Sequence, residues 1–434
     1  MMSHDQLLII GAGPAGLALS YAFPGKSRIL EQSFEVGGLC RSIEFCGGVF
    51  DIGGHSFHSP HPEVLGLVQQ LMATRWHTQR RDARVSFGGE LIGYPFQQHF
   101  QNLSDRTVIE DCQRNPPSFE TSAQASNFEE WILERFGQGI AKHFMLPYNR
   151  KLWARDLRRI SCDWVSERIA GNVKDTGIKG SRSRQPLQSD SIVGYPAEGG
   201  FGEIFQAMAK RCGPTEFGKK VRRINTKEKT VYTEDGSVWG WNYLASTIPL
   251  PALLRAIQDC PTALINDADR LEFVSLKVLL ISIGKQLGNQ PQRIYVAESD
   301  VPAHKIAFNH TSSASLRARP SHAIMCEISY SPEKVVASDG DLTRMMIDWL
   351  VDSQLIENRG DVSETRIIDV EHGYPVYTHD RPHILKEIRN YLTKLDIHTF
   401  GRFGGWSYVN SDACIYEGLV LADQLAGSAA ASSR

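Results

Sequence analysis

The hydrophobic pattern of the chain is clearest at its amino end. Residues 7–10 are an apolar run of the length of one buried parallel strand, and residues 27–30 predict a second strand. Between them, residues 17–22 carry apolar positions at helical spacing. The order strand, helix, strand predicts a Rossmann-like α/β domain at the start of the chain.

The middle of the chain changes from strand-like to helical patterns. Residues 83–96 predict a hairpin that turns at the glycine pair 88–89. Residues 128–136 and 140–148 carry apolar residues at three-to-four spacing, which is typical of helices in an inserted helical domain. The polar segment 171–190 is predicted to be a solvated loop or a lid over a site.

Strand-like patterns return in the second half. Short alternating runs within residues 272–335 and 365–380 predict an antiparallel β-sheet that forms one wall of a substrate pocket. The last element is a predicted helix that Asp412 caps and Gly427 ends, followed by a disordered tail. We expect a discontinuous nucleotide-binding domain (residues 1–82, 191–250 and 391–434), a helical insertion (98–190) and a sheet domain (83–97 and 251–390).

A glycine motif follows the first predicted strand. Gly11, Gly13 and Gly16 form the pattern G-x-G-x-x-G. In such motifs the first glycine allows a tight turn, the second lets a pyrophosphate approach the backbone, and the third lets helix pack on strand. Glu31 stands twenty residues after Gly11, where a carboxylate accepts hydrogen bonds from ribose hydroxyls. This order predicts a dinucleotide site rather than a purely structural turn.

A second group of glycines indicates which dinucleotide binds. Gly37 and Gly38 follow Glu31 closely, and Gly54 precedes His55. This arrangement resembles FAD-binding oxidoreductases of the glutathione-reductase and amine-oxidase type, whereas a nicotinamide dehydrogenase would continue with further βα units. FAD is therefore the expected cofactor, and the N-terminus of the last helix is expected at the flavin pyrimidine.

Composition and charge narrow the class of protein. The 434 residues carry a formal net charge of −2, so no nucleic-acid or anionic-membrane partner is expected. The 8 cysteines show no metal-type spacing, and the histidines at 55, 58 and 61 form no convincing ligand set. The first ten residues lack a basic region, and no apolar stretch reaches membrane-spanning length. We expect a reduced cytoplasmic enzyme without a catalytic metal.

Several longer motifs together resemble the UDP-galactopyranose mutases, particularly their eukaryotic-type branch, within the superfamily of FAD-dependent amine oxidases and protoporphyrinogen oxidases. The resemblance extends over nearly the whole chain. The motifs are GAGPAG at 11–16, GGH at 53–55, YPFQ at 94–97, PYNRKLWA at 147–154, SERIA at 166–170, YPAEGGFG at 195–202, STIPLP at 246–251, HGYPVYT at 372–378 and GRFGGWSY at 401–408.

This resemblance implies an enzyme that interconverts the pyranose and furanose forms of a nucleotide-diphosphate sugar such as UDP-galactose. In that family, N5 of reduced FAD forms a covalent adduct with the anomeric carbon while the diphosphate leaves, so there is no net redox change. The resemblance also implies NAD(P)H as the reductant and a nucleotide sugar as the partner. Whether the protein forms a homo-oligomer stays open.

The resemblance also implies roles for individual residues. The uridine-binding residues would be Tyr94, Phe96, Gln97, Asn149 and Trp153; a position in the hydrophobic core is the less favoured alternative for Phe96 and Trp153. The residues around the diphosphate and the reacting sugar would be Arg168, Tyr295, Lys305, Tyr374 and Tyr408. The flavin contacts would be Gly11, Gly13, Pro14, Ala15, Gly16, Glu31, Gln32, Gly38, Leu39, Arg41, Gly54, His55, Val221, Arg402, Asp412 and Ala413.

The sequence departs from the family pattern at the substrate. Lys305 stands where the family has a second diphosphate-binding arginine, and lysine cannot form the bidentate fork. Asp190 falls near the position of a substrate-binding asparagine, and its carboxylate would repel a diphosphate. These departures leave flavin chemistry in place and leave the identity of the sugar open.

Two other functions compete with the mutase. An oxidoreductase of the amine-oxidase or protoporphyrinogen-oxidase type is favoured by Lys305, because a lysine near flavin N5 is common there. It would not need the base-binding set of Gln97, Asn149 and Trp153. A non-catalytic flavoprotein or redox sensor is disfavoured by the length of pocket-lining sequence. The mutase is therefore the leading hypothesis.

Overall fold

The computed structural model describes residues 3–114, 125–162, 164–165 and 192–432. Arg168, Asp190 and the polar segment 171–190 lie outside the described residues. The strands are β1 (Ser3–Ile10), β2 (Ser27–Leu30), β3 (Ser42–Phe45), β4 (Gly48–Asp51), β5 (Trp76–Arg80), β6 (Ala83–Phe87), β7 (Glu90–Gly93), β8 (Ile192–Pro196), β9 (Thr215–Glu216), β10 (Val221–Asn225), β11 (Thr230–Thr233), β12 (Val238–Ser246), β13 (Phe273–Ile283), β14 (Arg293–Val296), β15 (Lys305–Phe308), β16 (His322–Tyr330), β17 (Val362–Pro375) and β18 (Ile397–Thr399). The α-helices are α1 (Pro14–Ala22), α2 (Pro62–Met72), α3 (Phe96–His99), α4 (Arg106–Arg114), α5 (Phe128–Ile140), α6 (Leu146–Trp153), α7 (Glu203–Ala209), α8 (Leu250–Ala256), α9 (Thr262–Asp269), α10 (Ala314–Arg317), α11 (Asp339–Asp352), α12 (Arg381–Lys394), α13 (Gly401–Gly404) and α14 (Ser411–Ser432).

The first sheet is built around the amino-terminal βαβ unit. β1 lies between β12 and β2 and pairs with both in parallel, in the order β10-β11-β12-β1-β2-β9. Leu7, Leu8 and Ile9 of β1 are completely buried, as expected of a central parallel strand covered on both faces. The predicted Rossmann-like α/β class is confirmed, and β1 begins earlier than the apolar run because its first residues also pair with β12.

The second sheet lies across the cavity from the first. Its order is β17-β13-β16-β15-β14-β6-β7, and the predicted hairpin supplies β6 and β7, with Gly88 and Gly89 at positive φ in the turn. All of its pairs are antiparallel except β14 with β6, which run parallel. That parallel pair joins residues far apart in the sequence, so the alternation within each strand could not predict it.

The helical region that follows β7 along the chain is interrupted at Gly137. The predicted helix 128–136 corresponds to the straight part of α5, because Gly137 has a φ of 77° that interrupts the helix. A π-helical turn over Ala141–Met145 then connects α5 to α6, so the second predicted helix begins and ends later than expected. The π turn brings Phe144 and Met145 to the cavity wall.

Two predictions about the last helix are wrong. It runs over Ser411–Ser432, so Gly427 does not end it and most of the predicted disordered tail is helical. Asp412 lies in its first turn rather than capping it. The helix packs closely along α1, since a Cβ on Gly418 would lie 2.6 Å from the Ala15 carbonyl oxygen. That packing, followed by three alanines with high helix propensity, outweighs the single glycine.

Within the described ranges, no helix is long and apolar enough to cross a membrane. The same ranges contain no cluster of three or more side chains suited to hold a metal ion.

Candidate active site

A cavity of about 440 Å³ lies where the βαβ unit, the second sheet and helix α6 meet. Half of the predicted flavin contacts line it, together with nearly all of the predicted substrate residues. The predicted residues that line it are Gly13, Pro14, Ala15, Gly38, Leu39, Gly54, His55, Tyr94, Gln97, Asn149, Trp153, Tyr295, Lys305, Tyr374, Arg402 and Tyr408. Other predicted site residues lie within the described ranges but do not line the cavity: Gly11, Gly16, Glu31, Gln32, Arg41, Phe96, Val221, Asp412 and Ala413.

The three glycines of the first motif have different surroundings. Gly11 has a φ of 105°, and a Cβ there would lie 2.3 Å from the Thr247 hydroxyl oxygen. A Cβ on Gly16 would lie 2.1 Å from the Gly11 carbonyl oxygen, so only glycine lets helix α1 pack this closely. A Cβ on Gly13 would meet nothing within 4 Å. Gly13 therefore exposes backbone to open space in the cavity, as a phosphate-binding turn requires.

Glu31 holds the loop beside this motif. Its carboxylate accepts hydrogen bonds of 2.8 Å from the backbone N–H groups of Ala12 and Ser33. The Lys219 backbone N–H donates to the Glu31 carbonyl oxygen at 2.8 Å, which places the start of β10 and Val221 next to the end of β2. Gln32 is exposed at the same edge. Glu31, Gln32 and Val221 do not line the cavity, so an adenosine would have to extend beyond the cavity to reach them.

Together these features fit FAD. The open space at Gly13, the N-terminus of the nine-residue helix α1 and the close approach of Gly38 to Gly13 form a cradle for a pyrophosphate. Asn410 and Ser411, at the start of the last helix, line the same cavity. The predicted contact between the flavin and the N-terminus of that helix stays a prediction.

A buried carboxylate that sequence reasoning missed lies behind the Gly53–His55 loop. Glu327 Oε1 accepts hydrogen bonds from the Gly54 backbone N–H at 2.7 Å and from Lys305 Nζ at 2.6 Å. The Tyr374 hydroxyl donates to Glu327 Oε2 at 3.1 Å. A single glutamate inside the apolar run HAIMCEISY was the available signal, because an acid in a buried strand needs a partner. Lys305 is thus engaged by a carboxylate.

The charge states of this cluster follow from its burial. Burial alone would raise the pKa of Glu327, but the Lys305 ammonium and the Gly54 N–H outweigh it and lower that pKa to about 2. Burial lowers the pKa values of His55 and His304 to about 3, and the charge on Lys305 acts in the same direction. Both histidines are therefore neutral near pH 7, and Lys305 is the cation that pairs with Glu327.

Tyrosine rings form much of the cavity wall. Tyr94 stacks on Tyr295 with ring centroids 4.6 Å apart, and Tyr374 meets Tyr408 edge to face at 5.2 Å. Arg402 Nε donates to the Val409 carbonyl oxygen at 2.9 Å, and its guanidinium lies 5.7 Å from the Tyr374 ring. The structure thus brings the predicted tyrosines together around one cavity, where the Tyr374 hydroxyl donates to Glu327.

The predicted base-binding residues divide into two groups. Gln97 and Asn149 line the cavity, and Asn149 Nδ2 donates to the Met145 carbonyl oxygen at 2.7 Å. Trp153 also lines it, and its buried Nε1 has no acceptor among the described residues. Phe96 lies behind the wall, fully buried and stacked on Phe144 at 4.9 Å, so its position fits the core-aromatic interpretation.

Two arginines of the cavity wall were also missed. Arg81 and Arg293 each donate from Nη2 to the Ser56 hydroxyl oxygen, at 3.3 Å and 3.0 Å respectively. They come from chain segments about two hundred residues apart, which the parallel pairing of β6 with β14 places side by side. No local pattern in the sequence could have joined them.

Comparison with known proteins shows the family and the fold of the chain. Residues 25–337 match the family model of flavin-containing amine oxidoreductases. The fold is similar to the crystal structure of a reduced UDP-galactopyranose mutase, with a TM-score of 0.87 and 26% identity over 98% of this chain and 96% of that one. A protein from Exiguobacterium sp. 255-15, provisionally assigned as a protoporphyrinogen oxidase, gives a TM-score of 0.73 at 15% identity, over 98% and 99% of the two chains. A fatty acid isomerase from P. acnes gives 0.64 at 14% identity over 97% and 98%, and both of these show a shared fold alone.

Proposed function

The chain belongs to the flavin-containing amine oxidoreductases, and on that premise we propose that it is a flavin-dependent mutase of nucleotide-diphosphate sugars. It would interconvert the pyranose and furanose forms of a sugar attached to UDP, without net redox change. One observation carries the proposal. The cavity that begins at the flavin cradle continues directly into a pocket of tyrosines, Gln97, Asn149 and Trp153, in a fold similar to a reduced UDP-galactopyranose mutase.

The cofactor would be held by the glycine cradle in the cavity and by Glu31 beyond the cavity. Gly13, Pro14 and Gly38 would hold the pyrophosphate of FAD, and Glu31 the ribose. Reduced flavin would supply the nucleophile for the anomeric carbon of the sugar. His55 is neutral and follows the glycine whose N–H binds Glu327, so Glu327 would fix the loop that lies against the flavin.

The nucleotide would lie along the tyrosine wall. The hydroxyls of Tyr295 and Tyr408 would donate to the diphosphate as it departs and returns, while Tyr374, whose hydroxyl donates to Glu327, would pack its ring beside the substrate. Trp153 would offer to the uracil base an aromatic ring and a buried Nε1 that has no acceptor within the described ranges. Arg168 stays a predicted diphosphate ligand. Enclosure by α6 and the second sheet would exclude water from the separated sugar and diphosphate.

An oxidase is the second candidate, and Lys305 is the observation that favours it. Lys305 lines the cavity within reach of the Gly54 loop, where a lysine could hold a water next to a flavin. Against this reading, its ammonium already contacts Glu327 at 2.6 Å. The mutase needs no such water, and the polar base pocket has no use in an amine oxidase.

The test compares oxidised with dithionite-reduced holoenzyme on a panel of UDP-sugars that includes UDP-galactose. Chromatography follows the sugar products, and an oxygen electrode follows acceptor use. We expect pyranose–furanose exchange only in the reduced state. Oxygen uptake with an amine or alcohol, together with no exchange for any UDP-sugar, would contradict the mutase and favour the oxidase.

A further inference from the structure

A buried lysine joins helix α6 to the end of strand β14. Lys151 is only 6% exposed, and its ammonium donates to the carbonyl oxygens of Val296 at 3.2 Å and Glu298 at 2.7 Å. Val296 is the last residue of β14 and directly follows Tyr295. The two hydrogen bonds therefore tie the middle of α6 to the backbone next to Tyr295.

The lysine lies on the side of α6 that faces away from the cavity. Asn149 and Trp153 are four residues apart, so they share one face of the helix, and both line the cavity. Lys151 is two residues from each of them, which places it on the opposite side of the helix. On the cavity side, the Tyr148 ring meets the Tyr295 ring edge to face at 5.9 Å. Helix α6 is thus held against β14 on both sides.

The position of Lys151 is costly for an amine. Burial lowers the pKa of Lys151 to about 7, although the Glu298 carboxylate acts in the opposite direction. An apolar side chain of similar length would avoid this desolvation. A second lysine, Lys334, is half-buried nearby and donates to the Lys151 carbonyl oxygen at 3.4 Å. Because Lys334 follows β16, its hydrogen bond holds α6 to a different strand, and the link to β14 is specific to Lys151.

We propose that Lys151 is a positioning residue that fixes the spacing between the base pocket on α6 and the diphosphate site at Tyr295. This inference rests on the proposed function, which assigns those two sites. UDP occupies both sites at once, so its second half binds at a high effective concentration only when the sites are held at the distance that UDP spans. Lys151 therefore raises the affinity for the whole nucleotide without touching it.

The test measures binding of UDP and of uridine to oxidised holoenzyme by calorimetry. Lys151→Met removes the ammonium and keeps a long side chain. We expect this variant to bind UDP about tenfold or more weakly, because the two sites are no longer held at a fixed distance. Uridine lacks the diphosphate and uses one site, so its affinity should stay within about twofold. Lys334→Met is the matched control: it removes the neighbouring amine, leaves the link to β14, and should keep both affinities.

The comparison of the two ligands separates positioning from a general loss of structure. Unchanged UDP affinity in Lys151→Met would overturn the inference. An equal loss for uridine and UDP would also overturn it, because Lys151 would then support the base pocket alone. A loss of UDP affinity of the same size in Lys334→Met would do so too. Lys151→Gln gives the same comparison if the methionine variant does not fold, and failure of both variants to fold would assign Lys151 to stability instead.

The wild-type protein separates this inference from the proposed function. If it binds UDP and uridine, all of the contrary outcomes above leave the proposed function standing. A selective loss of UDP affinity in Lys151→Met, without furanose formation by the reduced wild-type protein, would support the positioning role and contradict the mutase. Wild-type binding of UDP but not of uridine would contradict the base pocket and with it the inference. Absence of UDP binding would contradict both.

Discussion

Replacing Glu327 with glutamine should remove one of the main electrostatic supports of the cavity. Glu327 is 2% exposed and accepts hydrogen bonds from Gly54, Lys305 and Tyr374. Glutamine keeps the shape but removes the charge, so the Lys305 ammonium stays partly buried without its partner. Breaking a buried pair on one side costs about 3–5 kcal/mol.

The pKa of Glu327 gives a second value for the stabilisation that the charged Glu327 contributes to folding. Folding lowers it from 4.5 to about 2, and each pKa unit corresponds to about 1.4 kcal/mol, so the charged form contributes about 3 kcal/mol. Because the pKa is lower in the folded state, this contribution is complete above pH 4.5. It is lost as the pH falls from about 4.5 towards 2.

The assay is urea denaturation of wild-type and Glu327→Gln holoenzyme at pH 7 and at pH 4. We expect a loss of about 3 kcal/mol in the free energy of unfolding at pH 7 and a smaller difference at pH 4. Asp369→Asn is the matched control, because Lys277 contacts Asp369 at 3.0 Å on the same sheet but Asp369 is half exposed. An exposed pair of this kind is worth about 0–1 kcal/mol. If Glu327→Gln cost no more than the control, the assignment of a charged Lys305–Glu327 pair would be refuted.

Three further predictions concern neighbouring residues. Gly13→Ala should leave the stability of the flavin-free protein nearly unchanged but lower the flavin content of the purified protein. Gly16→Ala should instead destabilise the fold by about 1–3 kcal/mol, because the added methyl group overpacks against Gly11. If thermal melts and flavin absorbance showed equal effects for both variants, the assignment of Gly13 to a phosphate cradle would be contradicted. Tyr374→Phe should cost about 1 kcal/mol in urea denaturation, since it removes a hydrogen bond to Glu327, and no measurable loss would argue against that bond. His55 should show no imidazole titration by NMR between pH 5 and 8, because burial lowers its pKa to about 3, and a midpoint near 6.5 would disprove its neutral assignment.

Features that depend on local sequence were predictable. The βαβ unit follows from two apolar runs and a glycine motif, because turn, cradle and close packing each require glycine at a particular position. The β6–β7 hairpin follows from its glycine pair. Both depend on residues within a short segment, so their physical causes are visible in the sequence itself.

Features that depend on packing between distant segments were not predictable. Glu327 and Lys305 are adjacent only because β15 and β16 pair in that register, and Arg81 meets Arg293 only through the parallel pair of β6 with β14. The last helix continues past Gly427 because α1 and the following alanines support it. Each case is tertiary structure overriding or adding to a local preference.

The most direct measurement of the proposed reaction counts turnovers for each reduction. The holoenzyme is reduced once under anaerobic conditions with one equivalent of dithionite per flavin, and the UDP-sugar that binds most tightly is then added in large excess. A mutase should form many furanose molecules per flavin while the flavin absorbance stays that of the reduced form. At most one product per flavin, formed as the flavin is reoxidised, would contradict the mutase and indicate net electron transfer.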